Sequence, residues 1–165
     1  MKLKIPTRFE LTQTKFSFGA TSAIISNLGL ITGLQSLEHA KISIIGGILI
    51  IGIADNIADS FGIHIFQESE CLKTREVWIS TLTNFLTRIS VSFSFIPLIL
   101  FLPMKPAVIS SVIWGLLLLS LLSYSIAKRE GRKPQWVIFE HFVIAVVVIF
   151  ASSLAGRWFT RTFAL

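Results

Sequence analysis

Cysteine and charge are what this sequence has least of. Cys71 is the only cysteine, so an internal disulfide and a cysteine-rich metal site are both excluded. Charged residues make up 15% of the chain, against about 25% in soluble domains. Acids are scarcer than bases, nine against fifteen. The resulting net charge of +6 does not point to nucleic acid. The basic residues lie in short clusters beside apolar runs, where membrane topology accounts for them. The sequence carries no glycine-rich phosphate loop, no Ser/His/Asp arrangement and no visible nucleophile–base pair, so an enzyme is not expected.

Apolar runs dominate instead: 53% of the residues are hydrophobic. A bilayer crossing needs roughly 20 mainly apolar residues, and five runs qualify, near 16–34, 42–66, 79–102, 107–127 and 136–156. These predict an all-α, polytopic membrane protein with one transmembrane domain, five helices and short connections. The first run starts near Phe16 and leads into Gly29 and Gly33 without a cleavage-site pattern, so it reads as a retained helix. Pro97 lies inside the third span and should kink it. Pro103 and Pro106 flank a tight turn.

Lysine and arginine counts set the orientation. Lys2, Lys4, Arg8, Lys15, Lys73, Arg75, Lys128, Arg129, Arg132 and Lys133 fall on one side, and Lys41, Lys105, Arg157 and Arg161 on the other. The ten-to-four excess places the N-terminus in the cytoplasm, with Trp78 and Trp136 at the inner interface and Trp158 at the outer one.

The second span is the informative one. Asp55 and Asp59 stand four residues apart and so share a helix face, a stripe that also takes in Gly52 and Gly62. An Asp near a helix centre costs about 2.5–3.5 kcal/mol to insert, so two cost roughly 6. Thirteen Ile, Leu and Phe residues between Ile42 and Phe66 return about 0.3–0.6 kcal/mol each, also roughly 6. Alone, this helix is marginal. It needs a partner helix, water or a cation on its acidic face, and intramembrane acids are functional candidates for that reason.

Hard carboxylate oxygens suit Mg, Ca, Mn or Fe(II). Two close carboxylates also suit a proton relay, because like charges favour protonation of one. The competing arrangement is structural: Arg88, in the third span at a similar depth, can pair with Asp59 and hold the bundle together, which would leave Asp55 unpaired and favour a functional role for it. If Arg88 or backbone amides hold both acids away from any cavity, the case for an ion route fails.

The first span offers a small, polar stripe of Ser22, Ser26, Gly29 and Gly33. It serves close helix packing through Gly29-x-x-x-Gly33, or faces Asp55 and Asp59 across a path, or both. His64 falls opposite Asp55 and reads as a packed or interfacial histidine. Asn84 is positioned to donate between helices, Glu140 and His141 read as a wet helix end, and His39 as solvated.

Two stretches resemble the vacuolar iron transporter family. Phe18 through Leu34 resembles the family's first helix, with its Gly-Ala start and Gly-Leu end. Gly52 through Glu70 resembles its second helix, matching at Asp55, Gly62, Ser69 and Glu70. The resemblance is to a short, prokaryotic-type member, for which a cell-membrane location follows. It implies a homodimer that exchanges Fe(II) or Mn(II) for protons along a path lined by the first two helices at the dimer interface. It implies Asp55, Asp59 and Glu70 as metal residues, with Ser22, Ser26, Asn27, Asn56 and Arg88 along the path and no resident cofactor. Three departures stand out. Ser22 occupies the place of the family's first-helix Asp, Asp59 that of its Met, and 67–78 is too short for the cytoplasmic metal-binding insertion, leaving Glu68, Glu70 and Glu76 as a small acidic mouth. The alternative is a non-transporting scaffold or degenerate member with structural intramembrane ion pairs.

Overall fold

The computed structural model of the chain describes the backbone of residues 8–163 and the side chains of residues 19–163. The side chains of the N-terminal basic cluster, Lys2, Lys4, Arg8 and Lys15, and of Phe16 lie outside the described residues. Five long helices follow one another: α1 (Arg8–Leu34), α2 (Ala40–Ser69), α3 (Thr74–Phe101), α4 (Met104–Glu130) and α5 (Pro134–Phe163). A lipid-embedded backbone must satisfy its own polar groups, and helices do this within each segment. Helices α2 to α5 are each long and apolar enough to span a bilayer, and α1 contributes an apolar segment over Gly19–Leu34 among the residues whose side chains are described. The chain is an all-α, polytopic membrane protein.

α1 is central. It packs against all four other helices, most extensively against α3 and α5. Ile24, Leu28 and Ile31 are fully covered there. The other helices turn large apolar residues outward, such as Ile53, Ile57 and Phe61 on α2 and Phe150 and Leu154 on α5, as lipid-facing surfaces require.

The helix ends follow local chemistry. α2 closes before Cys71, which takes a left-handed φ of 55°, and α4 closes on Gly131 at φ 67°, the conformation a glycine accommodates best. α3 is interrupted at Ser94–Phe95 and resumes at Ile96, so the bend expected from Pro97 lies just before it. The proline ring clashes with the carbonyl four residues earlier, at Phe93, where the regular helix stops. Trp114 Nε1 donates to Ser94 Oγ at 3.0 Å and ties the bend to α4. Pro106, expected to flank the α3–α4 turn, instead sits in the first turn of α4, where a missing N–H costs nothing.

Candidate functional site

Midway along α2 the helix widens into a π turn over Ile51–Asp55, a local feature that recurs at functional sites. Asn56 closes it: its Nδ2 donates to the Gly52 carbonyl at 2.8 Å. From α3, Arg88 enters this region on a buried face that also carries Ser80, Asn84 and Ser92 at four-residue intervals.

The Arg88 guanidinium serves three acceptors on α2. Nε donates to Asn56 Oδ1 at 2.7 Å. Nη2 donates to Asp55 Oδ2 at 2.6 Å, and Nη1 pairs with Asp59 Oδ2. The rigid fork of guanidinium N–H groups makes such a multiple engagement possible, where an ammonium could not match it. Arg88 is 1% exposed, whereas the Asp55 and Asp59 side chains are 46% and 38% uncovered by the chain. One positive charge therefore meets two carboxylates, and both carboxylates open sideways beside Ile53 and Ile57. Ser22 of α1 approaches Asp59 Oδ2 at 3.5 Å, the long limit for a hydroxyl donor.

Below this triad, toward the α2–α3 loop, a polar seam joins the two helices. Asn84 Nδ2 donates to Ser60 Oγ at 3.0 Å, as its sequence position suggests. His64 Nδ1 meets Thr81 Oγ1 at 3.0 Å, and Gln67 Nε2 donates to Ser80 Oγ at 2.8 Å. The i, i+4, i+8 spacing of Asn56, Ser60 and His64 is the sequence signal for this seam. It is masked by the more conspicuous aspartates one residue away.

Several expected positions separate from the site. Gly52 does not extend the acidic stripe: it lies in the π turn, buried against Phe93. Gly62, in the regular helix three residues past Asp59, stays on that exposed side and faces open space. Ser26, Gly29 and Gly33 line an apolar groove of about 820 Å³ along α5, with Val148 and Ser152 opposite. Their stripe serves helix packing there, and only Ser22 turns to the carboxylates. Asn27 does not face them either: its Nδ2 donates to Ser92 Oγ at 2.9 Å and to the Ala23 carbonyl at 2.7 Å. Glu70 lies eleven residues past Asp59, exposed at the end of α2, about 16 Å away at 1.5 Å per residue. Among the described residues no three His, Cys, Asp or Glu side chains gather into a metal-holding group. Glu140 pairs with Arg132 at the exposed helix end, and His141 Nδ1 lies 2.6 Å from Ser123 Oγ.

No protein-family model, curated protein or solved structure matches the chain.

Proposed function

We propose that this membrane protein transports divalent transition-metal cations, Fe(II) or Mn(II), in exchange for protons. Asp55 and Asp59 form the exchange site, and Arg88 is its resident counter-ion. The observation that carries this reading is the charge mismatch. A neutral pair needs one acid for one arginine; here one guanidinium meets two carboxyl groups, each partly uncovered by the chain, at membrane depth. An uncompensated Asp there costs about 2.5–3.5 kcal/mol, a cost that a proton or a visiting cation removes. Arg88 engages Oδ2 of each acid, so an entering ion would take the Oδ1 oxygens first and then compete with the guanidinium. The uncovered flank of α2 is where a second copy would pack in a dimer. The likeness of 18–34 and 52–70 to vacuolar iron transporters supports the same reading.

One observation favours a second reading, a non-transporting scaffold. Arg88 is fully buried and holds both acids, with Asn56 fixing its Nε, and this is the arrangement expected of a structural ion pair. Breaking such a buried pair typically costs about 3–5 kcal/mol.

Mn(II) uptake into proteoliposomes separates the two. The transport reading expects uptake by the wild type and its loss in Asp55→Ala and Asp59→Ala. Equal uptake in all three, no greater than in protein-free liposomes, sinks it and leaves the scaffold.

A further inference from the structure

The polar seam between α2 and α3 is richer than helix packing needs. Interhelical hydrogen bonds in membranes average only about 0.6 kcal/mol each, yet buried polar side chains recur at every turn from Arg88 down to Gln67. Its one titratable member between the triad and the loop end is His64, buried beside Trp78, which meets it edge-on at 4.6 Å, and Phe61, stacked at 6.1 Å. Among the described residues, Phe61 and Glu68 face the ring from α2 and Thr81 and Trp78 from α3, and Glu68 is the charged one.

The two ring nitrogens have different tasks. Thr81 Oγ1 donates its hydrogen to the Val77 carbonyl at 2.9 Å, so its contact with His64 requires the hydrogen on Nδ1. The opposite nitrogen, Nε2, lies 3.3 Å from Glu68 Oε1. A neutral ring presents a lone pair to that carboxylate, and a second proton turns the contact attractive. His64 thus presents Nε2 to the loop side and an N–H at Nδ1 to the seam side. One turn toward the loop, the buried Gln67 Oε1 accepts no hydrogen bond from a protein group. A buried unsatisfied carbonyl costs about 1–3 kcal/mol, which a water would offset. The other seam carbonyl without a donor, Asn84 Oδ1, is different, because it rests against the backbone of Gly19.

We propose that the loop end of the α2–α3 seam is hydrated, and that His64 relays protons through it between the cytoplasmic face and the Asp55–Arg88–Asp59 triad. The ring accepts a proton at Nε2 and gives one up at Nδ1 to Thr81 Oγ1, whose own hydrogen turns from the Val77 carbonyl to a seam water; the imidazole ends neutral, and flipping or tautomer exchange resets it. Proton delivery to the triad rests on the transport reading; seam hydration does not.

Two measurements test it. Single cysteines at Gln67 and Ser80, in a Cys71→Ser background, are treated in proteoliposomes with a small water-soluble methanethiosulfonate, with Phe66→Cys and Leu82→Cys as lipid-facing controls. Both seam positions should react and both controls should not; unreactive seam positions mean a dry seam and overturn the proposal whatever the transport result. Proton flux under a valinomycin-imposed potential is then compared in wild type and His64→Gln, which keeps a polar side chain but cannot titrate. A fall of at least about tenfold, with Mn(II) binding retained, is expected for a general acid–base group. Unchanged flux overturns the relay. A wild type that passes neither protons nor Mn(II) removes both the relay and the transport reading.

Discussion

Arg88 reaches Asp55 through a 2.6 Å hydrogen bond from Nη2, while its other terminal nitrogen pairs with Asp59 one helical turn away. A single buried guanidinium thus spans two acids on the facing helix. α2 and α3 are held at one register by this contact, in which two carboxyl groups share one guanidinium.

Removing the arginine should be worse than removing the whole triad. Arg88→Met leaves two acids and the Asn56 carbonyl uncompensated, a loss of about 3–5 kcal/mol. Arg88→Met with Asp55→Asn and Asp59→Asn should recover most of it. Thermal unfolding in detergent, followed by circular dichroism, reads the difference; a triple variant no more stable than the single one contradicts this account.

Arg88→Lys should fall between these, because an ammonium is a point charge and cannot reproduce the fork that meets three acceptors. The same melting experiment should place it below wild type and above Arg88→Met.

The helices themselves are legible in the sequence because hydrophobic length is a strong local signal. The predicted spans 42–66, 107–127 and 136–156 each fall within one helix, and 79–102 falls on α3 apart from its last residue, Leu102. Arg88 is legible as a partner for Asp59 from depth alone. Its hold on Asp55 is not, because spacing alone does not tell whether one guanidinium reaches both acids or only the nearer. The small stripe of α1 divides for a similar reason. Ser22 and Gly33 share one helix face by period, but they are about three turns apart and meet different neighbours, α2 for one and α5 for the other.

Gly156 and Gly115 should respond differently to alanine. A Cβ at Gly156 would collide with the backbone carbonyl of Gly33, which cannot move without separating α1 from α5. A Cβ at Gly115 would meet the tip of Leu28 at 2.7 Å, a flexible side chain. Gly156→Ala should therefore cost about 1–3 kcal/mol as overpacking does, and Gly115→Ala less; equal melting temperatures would contradict the tight α1–α5 crossing.

Cys71 holds a left-handed φ of 55° in the α2–α3 connection. That conformation costs an L-residue about 1–2 kcal/mol, partly offset in glycine by its greater unfolded-state freedom. Cys71→Gly should leave the melting temperature unchanged or raise it, while Cys71→Val should lower it. A lowered melting temperature for the glycine variant contradicts the assigned backbone.

Trp114→Phe removes the donor to Ser94 at the α3 bend. A loss of about 0.5–1.5 kcal/mol is expected for one such bond. Combining it with Ser94→Ala should cost little more than either change alone, and full additivity would contradict the contact.

The acid pair is read most directly by titrating Mn(II) into the purified protein and following the free-ion signal by electron paramagnetic resonance. Wild type should take up the ion, and Asp55→Asn with Asp59→Asn should not. Equal binding by the two, or none by either, would show that Arg88 already satisfies both acids and that no cation is drawn to them.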